Sequence, residues 1–185
     1  MKNIIALLLL TGVLLTGCLP DSSITGPEDT QKQLSWVETQ QISSLSVEQN
    51  FFAFNIINGA NGGEVLMNEN YSSPQGSVSI YAKLTIQENS FFGVKFIRYV
   101  LNDRSASVTF GPHMTFLQDL RFDMRIEGLD LSQINDPSAI TFAYLDGGNN
   151  IVPCEYESIT VDVVNGAIEV IGAKVDHFSR YGFAK

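Results

Sequence analysis

Across Leu120–Glu127 the chain alternates without a break: Leu120, Phe122, Met124 and Ile126 interleave with Arg121, Asp123, Arg125 and Glu127. No helix keeps an apolar face with a period of two. A strand does, because its successive side chains point to opposite faces. In Ser77–Ile86 the same pattern puts Val78, Ile80, Ala82, Leu84 and Ile86 on one side. Residues 105–110 alternate with Val108 and Phe110 inward, and residues 92–101 are apolar enough to predict a strand buried on both faces. Ile140–Leu145, Ile159–Val164, Ala167–Ile171 and a last strand through Lys174–Phe183 complete the set. Turn signals separate them: Asn58-Gly59, Asn61-Gly62-Gly63, the Asp146–Asn150 loop, which needs positive φ, and the two-residue hairpin signal Asn165-Gly166. One helical turn is expected at Leu131–Asn135, ended by Asp136-Pro137. Seven to nine short strands with few helical patterns predict an all-β chain, an antiparallel β-sandwich over residues 59–185. Residues 34–58 read two ways. Ser46-Val47-Glu48-Gln49 has capping-box spacing for a short helix, and Phe51, Phe52, Phe54, Ile56 and Ile57 equally suit a first strand. Exposed edges that could recruit another chain are expected at Ala173–Phe183 or in residues 51–65.

The N-terminus has a different character. Met1-Lys2-Asn3 precedes an apolar run, Ile4–Leu15, that is too short to span a bilayer and is closed by Thr16-Gly17-Cys18. Leu15-Thr16-Gly17-Cys18 resembles the lipobox of bacterial lipoproteins. That resemblance implies removal of residues 1–17 and acylation of Cys18, which would hold the protein to a lipid bilayer. Leu19, rather than aspartate, follows the cysteine, so the resemblance implies the outer membrane where the cell has one. Residues 18–33, polar and with two prolines, read as a flexible tether spanning on the order of 20 Å. Loss of Lys2 takes the formal charge from -9 to -10, ten cations against twenty carboxylates. That balance argues against nucleic acid and anionic membrane faces as partners of the body. Cys154 is then the one remaining thiol, with no partner for a disulfide. It reads as a small, semi-buried hydrophobe rather than a reactive or metal-binding group.

Several stretches of the second half, in order, carry a family likeness: Gly62-Gly63-Glu64-Val65, Leu84–Phe91, Phe110-Gly111-Pro112-His113-Met114-Thr115-Phe116, and Val175-Asp176-His177-Phe178-Ser179-Arg180-Tyr181. Together they resemble the ZU-five-type domain, a β-sandwich named for zonula occludens proteins and netrin receptors. Gln87 stands where that family has proline, and its Gly-Ala pair is absent. In some members of the family a His-Phe-Ser string cuts its own chain before the serine. The resemblance therefore marks His177 as base and Ser179 as nucleophile, with cleavage after Phe178. Such chemistry needs a base within hydrogen-bond reach of the hydroxyl and a strained peptide bond. On one continuous strand His177 and Ser179 would share a face with Ala173, Val175, Tyr181 and Phe183, with Lys174, Asp176, Phe178 and Arg180 opposite. The same residues also read as a hydrogen-bonded core histidine and a structural serine.

Other constellations carry less chemistry. Glu155 and Glu157, on one strand face, have the form of paired carboxylates but also of a solvated face. The oxygens of Asp146–Asn150 suit calcium or simply a turn. His113 lacks a neighbouring metal ligand and reads as a loop residue, and Asn70-Tyr71-Ser72 is a glycosylation pattern of little meaning in a bacterial lipoprotein. No nucleotide loop, metal set or cofactor motif is recognised. The expectation is a non-enzymatic, lipid-anchored envelope protein whose acidic sandwich is a binding or structural module for an envelope protein or glycan. A single self-cleavage at Phe178-Ser179 is the alternative. A ligand-binding sandwich with an aromatic platform from Tyr71, Tyr144 or Tyr156 is a third.

Overall fold

The computed structural model describes residues 33–39, 51–102 and 104–185. Lys32–Lys185 forms one compact unit. Two antiparallel sheets make up its body. The first carries six strands in the order β1 (Phe52–Asn58), β4 (Val94–Leu101), β5 (Ser107–Gly111), β11 (Arg180–Ala184), β7 (Thr141–Leu145) and β8 (Ile151–Pro153). The second carries five, β2 (Gly63–Ser73), β3 (Gly76–Ile86), β6 (Thr115–Glu127), β10 (Ala167–His177) and β9 (Ser158–Asp162). The chain is thus all-β and sandwich-like, with eleven strands among the described residues rather than seven to nine. The additional strands are β1, β2 and β8, while the two strands expected at Ala167–Ile171 and Lys174–Phe183 are divided differently, β10 running on to His177 and β11 beginning at Arg180.

The alternation at β6 sets the core. Leu120, Phe122, Met124 and Ile126 are buried and face the partner sheet, in register with Leu84, Ala82 and Ile80 of β3. Their alternates face solvent, where Arg121–Asp123, Arg125–Glu127 and Arg125–Glu169 form ion pairs. Such exposed pairs stabilise by roughly 0–1 kcal/mol each. From the opposite sheet Ile97, Tyr99, Val108, Phe110, Phe142, Tyr181 and Phe183 close the core. The Tyr99 hydroxyl donates to the Ala82 carbonyl across the sandwich, 2.7 Å.

The structure departs from the sequence reading in several places. Residues 92–101 are not buried on both faces: Ile97, Tyr99 and Leu101 face the core, but Val94, Phe96 and Arg98 face outward and are exposed. Residues 52–58 are a strand, at the edge of its sheet; the proposed capping box 46–49 lies outside the described residues, as do Cys18 and the tether. The run 173–183 is no edge, because β10 lies between β6 and β9 and β11 between β5 and β7. A single turn closes at Leu131–Ile134, but the short 3-10 helix follows Asp136, at Pro137–Ala139, with the Asp136 side chain accepting from Ser138 N–H. The Asn165-Gly166 hairpin has four loop residues, since Asp162 pairs with Ala167, and Gly166 takes φ +63°.

Residues 33–39 are stitched to the C-terminus. Trp36 bridges to Ala184 and Glu38 to Ser105, and Val37 N–H donates to Phe183 C=O at 2.8 Å. The Trp36 ring covers the Arg180 guanidinium, 4.8 Å from its centroid. Arg180 donates beneath it to the Ser107 and Ser105 hydroxyls.

Candidate functional site

Phe178-Ser179 is the passage from one sheet to the other. β10 ends at His177 in the five-stranded sheet, and β11 begins at Arg180 in the six-stranded one. The alternation of a single strand therefore does not carry across it. Phe178, placed by periodicity on the outer face, is instead 1 % exposed, stacked on Phe110 with ring centroids 5.2 Å apart and edge-on to Phe116 at 4.8 Å. The peptide around it is held on all sides. Phe178 N–H donates to Met114 C=O at 2.8 Å, Phe110 N–H donates to Ser179 C=O at 3.0 Å, and His113 Nδ1 lies 3.0 Å from the Phe178 carbonyl oxygen. A carbonyl only accepts, so His113 carries its proton on Nδ1 in this arrangement. His113 is the loop residue expected, with a specific partner that sequence alone did not suggest.

His177 and Ser179 are bonded to different partners. The Ser179 hydroxyl donates to Leu145 C=O at 2.5 Å. His177 donates from Nδ1 to Asp176 Oδ1 at 2.6 Å and sits edge-on to Tyr144, centroids 5.0 Å apart. The Tyr181 hydroxyl lies 3.1 Å from His177 C=O and 3.2 Å from Asp176 Oδ1. Burial, reinforced by the Asp176 charge, pushes the Tyr181 phenol far above its usual value, so it stays a donor. At Asp176 burial works upward, but the His177 hydrogen bond and the further contacts outweigh it and leave the carboxyl below its ordinary value.

Beside this cluster runs a shallow groove of about 220 Å3, lined by Asp119, Tyr144, Cys154, Glu155, Lys174 and Asp176. It continues past Arg121, Tyr156 and Glu157 in a second hollow of about 310 Å3. Residues 154–157 are not a strand but a link between β8 and β9, so Glu155 and Glu157 do not form a strand-face pair. Each reaches its own cation: Glu155 bonds Lys174, and Glu157 bonds Arg121. Those hydrogen bonds hold both carboxyls below the ordinary carboxylate value, a poor setting for a general acid. The groove is shaped by a bulge in β10, where register with β6 shifts between Val170 and Ala173. Gly172 takes φ +69° there, its N–H donates to Asp123 Oδ1 at 2.8 Å, and a Cβ would strike Glu157 at 2.5 Å. Burial, with the nearby Asp176 and Glu155 charges, pushes the Cys154 thiol up to about 12, and its S–H points to Phe142 C=O, 3.6 Å. That is the semi-buried position the sequence suggested for it.

The remaining candidates disperse. Asp146 spends one carboxylate oxygen on Gly148 N–H and Asn150 N–H, both at 2.8 Å, so the loop closes on itself, with Asn149 in the left-handed region. Among the described residues no group of three His, Cys, Asp or Glu is placed to hold a metal, and no helix is long and apolar enough to cross a membrane. Tyr71 is a core residue, 8 % exposed and stacked on Phe51, while Tyr144 and Tyr156 are half-buried around the groove, so the three form no platform.

Apart from Tyr81 on β3, the large exposed aromatics among the described residues are phenylalanines, and the sequence reading missed them. Phe52, Phe54 and Ile56 on β1 point outward, as do Val94 and Phe96 on β4. Phe54 touches Phe96 at 5.3 Å and Phe52 at 5.9 Å between ring centroids. Phe92 stands just before β4. The signal that could have found them is the uncharged run Phe51–Asn58, apolar at both parities of a strand that only one sheet face could bury. No known family, curated protein or solved structure matches the chain.

Proposed function

We propose that the protein is a lipid-anchored envelope protein, acylated at Cys18, whose sandwich-like body acts as a binding module rather than a multi-turnover enzyme. The observation that carries the binding role is the outward face of β1 and β4, where Phe54, Ile56 and Phe96 remain 55 %, 67 % and 49 % exposed. A folded body keeps a contiguous apolar patch of this kind for something to cover. The groove supports the same reading from the other direction, because Glu155 and Glu157 are tied up in ion pairs. The Leu15-Thr16-Gly17-Cys18 string supports the anchor, and Leu19 supports the outer membrane. The test is labelling of producing cells with an alkyne fatty acid, followed by fractionation. Wild type should carry the label and pellet with membranes, and Cys18→Ser should do neither. Equal labelling of both would sink the anchor.

A second reading, one self-cleavage at Phe178-Ser179, is favoured by a specific observation: His113 Nδ1 polarises the carbonyl that the serine would attack. The cut fragment Ser179–Lys185 would stay in place, since β11 is paired on both sides and Tyr181, Gly182, Phe183 and Ala184 are buried. Only a denaturing measurement is therefore informative. Intact mass in denaturant after long incubation tests it, and a single uncut species excludes it.

A further inference from the structure

The net charge of -9 conceals a division between the two sheets. The six strands of the first sheet contain no carboxylate at all and carry Lys95, Arg98 and Arg180. The five strands of the second contain eight carboxylates against four cations. The apolar face lies on the basic sheet: in the β1–β4 register Arg98 stands opposite Phe54 and shares its outward face, whereas Lys95 stands opposite core-facing Ile57. At about 200 Å2 for a whole phenylalanine, the exposed parts of Phe52, Phe54, Ile56, Phe92, Val94 and Phe96 sum to roughly 700 Å2. The largest apolar patch of an ordinary monomer is about 300–600 Å2.

From this we infer that the β1–β4 face docks on an anionic lipid surface, the aromatic and aliphatic side chains entering the headgroup boundary and Arg98 meeting lipid phosphates. The inference rests on the reading of this face as the module's binding surface and names what covers it. Charge selects the occupant. A second copy seated face to face would bring a second Arg98 and no strand carboxylate to the contact, whereas an anionic headgroup layer complements Arg98. The chain's own path agrees. Trp36 joins the body at β11, in the same sheet, three ladder steps from β1, which is roughly 14 Å. Fourteen residues separate Gln33 from Cys18, so an anchor there keeps this sheet near the bilayer. The acidic sheet then faces away, and the overall negative charge does not oppose docking of the basic one.

The test is flotation of the full chain with vesicles of phosphatidylethanolamine and phosphatidylglycerol, wild type against Phe54→Glu with Phe96→Glu. The N-terminal segment is common to both, so the difference reports the face. Binding should weaken roughly tenfold or more. Arg98→Gln should cost roughly fivefold on these vesicles and little on phosphatidylcholine. In a Trp36→Phe background, brominated acyl chains should quench tryptophan at Phe54→Trp but not at Val164→Trp, on the β9–β10 loop and 93 % exposed. Both positions are on the surface, so an unchanged thermal midpoint confirms folding. Equal flotation of all variants, or equal quenching at both positions, overturns the inference. So does sedimentation of the lipid-free chain at twice its mass with loss of that mass in Phe54→Glu. That last result would leave the face a binding surface and replace lipid by a second copy, so it separates failure of this inference from failure of the underlying reading.

Discussion

His113 holds the carbonyl of Phe178 from Nδ1 across 3.0 Å, joining the loop after β5 to the point where the chain changes sheets. The carbonyl has no strand partner at that position, because β10 has ended and β11 has not begun. His113→Ala should therefore cost about 0.5–1.5 kcal/mol, the net value of one such bond with its acceptor left to water. For a chain of this size that is a fall of about 2–4 °C in Tm per kcal/mol. Urea unfolding of the variant checks it, and no change would show that water replaces His113 without loss.

Phe178 is a stronger determinant of the fold than of any chemistry. Its ring fills the space between Phe110 and Phe116. Phe178→Ala should destabilise by about 3–5 kcal/mol, a transfer loss plus the cavity left behind. The same truncation at exposed Phe54 should stay within about 0.5 kcal/mol. Equilibrium unfolding of the two variants side by side gives the comparison. Similar losses at both would mean that the outward face contributes to the core after all.

The contrast between these two phenylalanines also shows what could be read from sequence. Strands β3 and β6 were legible because their two faces differ in kind, apolar against polar in β3 and apolar against charged in β6, and the differing faces persist for eight residues or more. The crossing at Phe178 was not legible, because residues 174–183 keep an even alternation through the break. What ends β10 is tertiary: the carbonyls and rings of the segment 110–116 take up Phe178. Residues 92–101 were misread for the opposite reason. An apolar strand face says that something should cover it, not that the chain's own core does so. Lys95, Arg98 and Arg180 are scattered along the sequence, and only strand order gathers them into a sheet without carboxylates.

Acid should weaken the fold through the outward face of the five-stranded sheet. Glu127, Glu155 and Glu157 lie below their ordinary value of 4.5 because Arg125, Lys174 and Arg121 donate to them. With folded values depressed, the unfolded chain takes up protons first as pH falls. Their contribution is whole above 4.5 and is lost as pH drops through the folded values. All three are surface groups, so the effect is modest and shrinks in salt. The urea midpoint should be flat between about pH 5 and 8 and fall below that. Arg121→Gln with Lys174→Gln should shallow the fall, and an unchanged slope would place acid sensitivity elsewhere.

Alkali should act with the opposite sign through Cys154. Burial, then the charges of Asp176 and Glu155, raise its thiol from 9.0 to about 12, so the folded state keeps a proton that the unfolded chain gives up. Its contribution is therefore whole below 9.0 and declines as pH rises above it toward 12. Two measurements follow. At about pH 8 iodoacetamide should alkylate the native thiol about a hundredfold more slowly than the same thiol in denaturant, because thiolate is the reactive form. Cys154→Ser, whose hydroxyl does not ionise in this range, should lose less stability than wild type between about pH 9 and 11. Rapid native alkylation would instead mean that the groove opens far enough to hydrate the sulfur, and the hydrogen bond to Phe142 C=O would then be a minor state.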